Sequence, residues 1–454
     1  MKEYDVIVIG SGSGLSLVYK ALADNLNVAL VAKDYLGGTC LNVGCVPSKT
    51  LIHPADKIVE IEEARKLGVT ASIVNIDFGG IMERTRSYIK KGTDRIRNDL
   101  ITSEGLDFYE AEAHFIADYT LLVQGEQIRG RKIFIASGAR PLIPPIGGLD
   151  ASSYLTNETL LQLKARPESM VIIGGSYIGV EYAHFFAAMG TRVTVVEMTK
   201  RLIPFEEPEI SELLKRKMQN RMEVYTDATA IKVNRQTDNH EVLIRDNVTG
   251  EERTIPGQTI LVAAGRISNA DRLQLANTGV ETGRGNFITV DDYLMTTKEN
   301  IWAVGDATGK QMFTHAADRE VEVAWVNATQ PGEKVKMDFS SVPHAVFSHP
   351  PIASIGLTEE EAAKTHEILV GKAQYSDIVQ GDARMEEEGF AKAIADKATR
   401  RILGFHIIGP EAPELIQEVV NMVANGVDIE AITESMHIFP SLSELVPEAL
   451  GNLE

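Results

Sequence analysis

The chain has 454 residues, 44% of them apolar and 24% charged, and a formal net charge of −19. That length exceeds one ordinary core and implies two or three domains; the acidic balance excludes a nucleic-acid surface, which needs a basic excess against phosphates. No apolar run reaches the roughly 20 residues that span a bilayer, so no membrane contact is expected. The two cysteines are too few for a secreted disulfide scaffold, so a redox pair in a reducing, cytoplasmic compartment is the expectation.

The first element, "YDVIVIGSGSGLSLVYKALADNLNVALVAKD" (residues 4–34), reads as buried strand, glycine-rich turn, helix and strand. Its apolar run is short, follows Asp5 and ends in glycines, so it is a strand and not a signal-peptide core. A βαβ unit of this length binds dinucleotides, with Gly10, Gly12 and Gly14 letting backbone amides approach a pyrophosphate. The third glycine is displaced, since Leu15 takes the last GxGxxG place. At the end of the second strand Ala32, followed by Lys33 and Asp34, stands where an acid for ribose hydroxyls is expected.

Next comes "GGTCLNVGCVPSK" (residues 37–49). Cys40 and Cys45 are spaced to close a small disulfide ring at the start of a helix, where amide dipoles stabilise a thiolate. Residues 51–104 carry a long helical pattern, and strands follow that end in "KIFIASGARP".

A second βαβ unit, "SMVIIGGSYIGVEYAHFFAAMGTRVTVVEMTKR" (residues 169–201), repeats the first design. Its turn is Gly174-Gly175-Ser176-Tyr177-Ile178-Gly179, with serine in the middle glycine's place. Glu197 ends the following strand; it can accept from both ribose hydroxyls and repel a 2′-phosphate, which favours NADH over NADPH. Lys200 and Arg201 nearby read as a solvated loop.

"TILVAAGRISNADRL" and "NIWAVGDATG" are strands closed by glycine, and they suggest a return to the first domain near residue 266. From about 340 the texture changes to a strand ("RRILGFHIIGP"), an amphipathic helix ("APELIQEVVNMVANG") and the closing "SMHIFPSLSELV". Three domains are expected, the first discontinuous.

Taken together, the cysteine motif, the two turns, "NIWAVGDATG" and "FPSLSE" resemble the class I pyridine nucleotide-disulfide oxidoreductases, the flavin family of dihydrolipoamide dehydrogenase, glutathione, mycothione and mercuric reductases. The resemblance implies an α/β fold with two Rossmann-like domains and a C-terminal α+β dimerisation domain. The expected boundaries are 1–148 and 267–338 for FAD, 149–266 for NAD(P)H and 339–454 for the homodimer interface. It further implies one FAD per subunit, held by Gly10, Gly12, Gly14, Lys33, Gly38, Thr39, Ala113, Ser137, Gly138, Gly305 and Asp306, with Met312, Phe313, Thr314 and His315 along the flavin edge. Gly174, Ser176, Tyr177, Ile178, Gly179, Glu197 and Gly265 would hold NADH. Cys45 would be the thiolate against the flavin and Cys40 the interchange thiol, with Lys49 and Glu181 paired near the flavin. The acceptor would be a small-molecule disulfide or another electron acceptor, and the second subunit's tail would complete each active site.

Similar enzymes end in a His-Pro pair followed by Glu. Pro440 and Glu444 are kept here, but Phe439 replaces the histidine. Losing a positioned base typically costs about 10²–10⁴ in rate. In an extended segment His437 would point the same way but about 6–7 Å further along, so it reads as a positioning residue more than a base. Mercuric reductase also lacks the histidine but relies on a further C-terminal cysteine pair, which this chain does not have. The carboxylating 2-ketopropyl coenzyme M enzyme places Phe here but also changes the Glu, so reductive thioether cleavage is the alternative chemistry. A quinone or metal-ion reductase and a non-enzymatic redox sensor are the other readings. No metal site is expected.

Overall fold

The computed structural model describes residues 1–237 and 239–454. They divide into two compact units, 1–48 with 83–142 and 265–339, and 49–82 with 143–264 and 340–454.

The first unit is organised by a seven-stranded sheet. Strand Lys2–Ile9 lies between Val28–Val31 and Glu126–Ile135, all parallel. Leu106–Tyr109 extends the sheet beyond Val28–Val31, and Ile301–Ala303 pairs with Glu126–Ile135. Registers align Ile9 with Val31 and Ile135, Val31 with Tyr109, and Ala303 with Ile135. Five strands therefore end in one row. The turns beginning at Gly10, Ala32, Ala136 and Val304 leave from that carboxyl edge, where open parallel sheets bind ligands. The strands are near-continuous apolar runs because both faces are covered: Val6, Ile7, Val8, Leu30, Ile133 and Ile135 are all fully buried.

The second unit holds a parallel sheet in the order Glu223–Tyr225, Arg192–Val196, Ser169–Ile173, Thr259–Val262 and Tyr154–Leu155. Here Ile173, Val196 and Val262 share a row, so Gly174 and Glu197 leave side by side. Its other large sheet is antiparallel: His344–Val346, Ile352–Gly356, Ile402–Ile408, Phe390–Asp396 and Ile368–Gln374. The helices Ala412–Asn425 and Leu445–Gly451 cover that sheet through Ile416, Val419, Met422, Leu445, Val446 and Leu450. This is the α/β architecture with a C-terminal α+β part that the sequence predicts. Among the described residues no helix is long and apolar enough to cross a membrane.

Candidate active site

The first turn is set by close approach. Gly10 has φ +108°, and a Cβ there would lie 2.1 Å from the Ala136 carbonyl oxygen. Gly38, at φ +69°, would place a Cβ 2.5 Å from the Gly12 Cα, so the cysteine-bearing turn lies directly on the dinucleotide turn. Gly14 opens the helix Gly14–Ala23, and a Cβ on it would meet Ala136 Cβ at 3.0 Å and Val8 Cγ1 at 3.1 Å. The displaced glycine thus does the helix–strand packing, and Leu15 is buried beside it.

Around the same edge stand groups suited to a polar ligand. The Ser137 hydroxyl is buried with no hydrogen-bond partner among the described residues, and Gly138 has φ +66° with no described atom near its missing side chain. Asp306 follows Gly305 beside Arg266, 3.3 Å away; burial pushes its carboxyl up while Arg266 pulls it down. Glu320 accepts from the Gly305 amide at 2.5 Å, its second oxygen is buried without a partner among the described residues, and burial pushes it up to about 7. Ala32 is buried, and Lys33 turns to Glu112 at 2.6 Å, next to Ala113. These residues fit FAD: the glycines leave a cradle that side chains would fill, and an orphaned hydroxyl and a buried carboxylate await partners.

The cysteines flank a kink. Cys40 lies on the short helix Gly38–Val43, Gly44 breaks it with φ −128° and ψ −117°, and Cys45 opens the helix Cys45–Glu63. Both are thiols here. Cys40 hydrogen-bonds to Cys45, and this bond, reinforced by burial, holds the Cys40 proton more tightly than in an ordinary thiol. Cys45 is exposed, with Thr314 Oγ1 3.6 Å from its sulfur. The buried Asn42 amide fixes the kink by donating to the Leu36 and Gly38 carbonyls, and it accepts from Thr93. Phe313 precedes the helix Thr314–Thr329 and stacks on His315 at 5.7 Å, while Met312 is partly exposed.

In the second unit Lys49 donates to both oxygens of the buried Glu181, at 2.8 and 2.9 Å. Glu181 also accepts from the Phe347 amide at 3.1 Å, and the Lys49 ammonium lies 4.4 Å from the Phe347 ring centroid. The second turn repeats the first: Gly174 has φ +110°, its Cβ would strike the Ala263 oxygen at 2.2 Å, and Ser176 precedes the helix Tyr177–Ala188, which carries Ile178 and Gly179. Glu197 accepts from the Gly175 amide at 2.6 Å and from the Thr199 amide at 2.7 Å. Gly265, in the first unit, accepts from the Leu142 amide.

At the C-terminal end Phe439 is 71% exposed. His437 faces Glu418 Oε1 at 2.9 Å through Nε2 and the Ser435 carbonyl at 3.3 Å through Nδ1. Glu444 accepts from the Ser441 amide at 3.0 Å and closes a capping box. Asn42, Phe347 and Glu418 escape sequence reasoning, because their partners are set by tertiary contact. The role of Glu444 had a local signal, the S-x-x-E pattern of a capping box.

The geometry agrees with comparison to known proteins. Residues 4–321 match the pyridine nucleotide-disulphide oxidoreductase family and residues 342–450 match its dimerisation domain. The mercuric reductase of Lysinibacillus sphaericus is 32% identical over 445 residues, covering 97% of this chain and 81% of that protein. The dihydrolipoyl dehydrogenase of Chlorobaculum parvum is 33% identical over 458 residues, covering 98% and 96%. Among solved structures, the Cu(II) complex of the HOCl-induced flavoprotein disulfide reductase RclA from Escherichia coli superposes with a TM-score of 0.88, at 28% identity and 99% coverage of each chain. The chain belongs to the class I pyridine nucleotide-disulfide oxidoreductases, FAD-dependent enzymes that use a pyridine nucleotide and carry a C-terminal dimerisation domain.

Proposed function

We propose that the chain is an NADH-dependent disulfide oxidoreductase, in which electrons reach the Cys40–Cys45 pair and leave through an exit that lacks the family's histidine base. The observation that carries this reading is the hydrogen-bonded thiol pair at a helix N-terminus, on the same helix as Lys49. Bound FAD would supply the two-electron chemistry that links hydride from NADH to a neighbouring disulfide. The glycine turns and Asp306 would hold it, and Lys49, fixed by Glu181, would supply a cation beside it. Glu197, its oxygens turned toward the Gly175 and Thr199 amides, supports NADH over NADPH, because a carboxylate repels a 2′-phosphate. The homodimer's second tail, with Phe439, would close over Cys40.

Anaerobic titration tests this. NADH is expected to give the long-wavelength thiolate–flavin absorption rapidly and NADPH slowly. Rapid lipoamide turnover would contradict the altered exit, and an FAD-loaded protein that neither nucleotide reduces would contradict the whole reading.

A second reading, reduction of a soft metal ion, is supported by the two adjacent thiols and by similarity to mercuric reductases and to a protein with a Cu(II) complex. No cysteine follows Cys45, so delivery of the metal would fall to this pair alone. NADH oxidation that depends on Cu(II) or Hg(II) and is lost in Cys40→Ser would favour it.

A further inference from the structure

Four features of the 435–444 segment concern where a proton can come from. The Phe439 ring carries no ionisable proton. Glu444, the acid that orients the base in similar enzymes, accepts from the Ser441 amide through one carboxylate oxygen. His437 is 13% exposed at its side chain, and both ring nitrogens face acceptors, the Glu418 carboxylate and the Ser435 carbonyl. The Ser441 and Ser443 hydroxyls pair with each other at 2.6 Å, and a hydroxyl is in any case too weak an acid.

Resting on the proposed function, we infer that the acceptor is a disulfide whose leaving thiol is already ionised at neutral pH, an aryl disulfide or a polysulfide, because no side chain of this segment can hand the departing sulfur a proton. In thiol–disulfide exchange the better leaving group is the more acidic thiol. A positioned acid removes that dependence by protonating a basic leaving sulfur as the bond breaks. Without one, alkyl thiolates leave slowly and acidic ones are unaffected.

The step balances without a protein-borne acid. The Cys40 thiolate attacks R–S–S–R′, forming a Cys40–S–S–R bond and releasing R′S⁻. The Cys45 thiolate attacks the Cys40 sulfur, closes the Cys40–Cys45 disulfide and releases RS⁻. NADH restores the dithiolate with its two electrons, so that NADH and RSSR′ give NAD⁺, RS⁻, R′S⁻ and H⁺. The proton goes to solvent.

The experiment mixes NADH-reduced holoenzyme with a series running from nitrophenyl and pyridyl disulfides to cystine and lipoamide, and follows loss of the long-wavelength absorption. The ratio of aryl to alkyl rates is expected to equal that of a small free thiolate with the same disulfides. Phe439→His is expected to raise the alkyl rates by about 10²-fold or more beyond any change in the aryl rates, in line with a positioned acid, and so to narrow the aryl-to-alkyl ratio. Phe439→Gln, polar but without an acidic proton, is expected to keep the gap. A native ratio compressed well below the solution ratio would overturn the inference, even if the variants failed to fold; so would a Phe439→Gln gain equal to that of Phe439→His. Failure of NADH to produce the absorption at all would instead remove the underlying reading, and the inference with it.

Discussion

Cys40 donates its proton toward Cys45, is half-buried, and feels the Asp318 carboxylate, while a hydrogen bond to Thr314 works in the opposite direction. An ordinary thiol ionises at about 8.5 and would plateau above that pH. Because Cys40 is held above this value, its thiolate fraction grows about tenfold per pH unit across the neutral and mildly alkaline range. Reoxidation of pre-reduced enzyme by an aryl disulfide is therefore expected to rise about tenfold per pH unit through the neutral range and to be still rising at about pH 8.5, where an ordinary thiol would begin to level. A plateau near pH 7 in stopped-flow traces would show that some group takes the Cys40 proton. Glu320 gives a second case. Burial lifts it from the usual 4.5 to about 7, and Asp306 adds to the effect. Between those values the folded chain binds more protons than the unfolded one, so this group's contribution falls as pH rises from about 4.5 to 7 and is flat above. Glu320→Gln removes the titration. In the FAD-free protein the variant is expected to gain on the native chain by up to about 3 kcal/mol between pH 5 and 7.5. Parallel melting curves across that window would contradict it.

Among the elements, strand Phe390–Asp396 carries Lys392, 4% exposed at its side chain, with its ammonium 2.8 Å from Glu207, 3.0 Å from Glu209 and 2.5 Å from Glu359. Those three carboxylates lie close enough together to hold a cation, and the lysine is that cation. Burial works against its charge, but the hydrogen bonds to Glu207, Glu359 and Glu209 outweigh it. Breaking such a buried pair from one side typically costs about 3–5 kcal/mol. Lys392→Met is expected to lower stability by that order in denaturant melts, and adding Glu207→Gln should restore part of it. A loss below about 1 kcal/mol would mean the cluster is solvated like a surface pair. The elements were legible where their period is local: the apolar strands, the glycine turns and the long helix, found at Phe78–Thr102, all declare themselves within a dozen residues or so. Lys392 did not, because an apolar strand with one lysine gives no sign of carboxylates 33 to 185 residues away. The Lys49–Glu181 pair, 132 residues apart, was reached only through resemblance, since no pattern in the chain links them.

On the scale of the whole molecule, the repeated βαβ design was readable because each copy is one continuous stretch. The first unit, like the second, gathers three separate stretches of chain. Its closing strand, Ile301–Ala303, joins the Glu126–Ile135 strand across about 170 residues and brings Asp306 to the edge that carries Gly10. If FAD is held as proposed, that assembly makes it a structural ligand of one unit. The chain's two tryptophans, Trp302 and Trp325, both lie there, ringing Phe134 at centroid distances of 5.3 and 5.9 Å. Tryptophan fluorescence therefore reports the first unit and is silent about the second. A ligand that binds only the folded form stabilises it by about 2.7 kcal/mol at a hundred times its Kd. Adding FAD to cofactor-free protein is accordingly expected to raise the midpoint of the fluorescence transition more than that of the far-ultraviolet circular dichroism transition, which averages both units. With NADH alone the order should reverse, because the Gly174 turn and Glu197, proposed to hold it, belong to the second unit. If both ligands moved both signals together, the units would be melting as one cooperative body, and the assignment of each nucleotide to its own unit would have to be established by substitution at Gly10 and Gly174 instead.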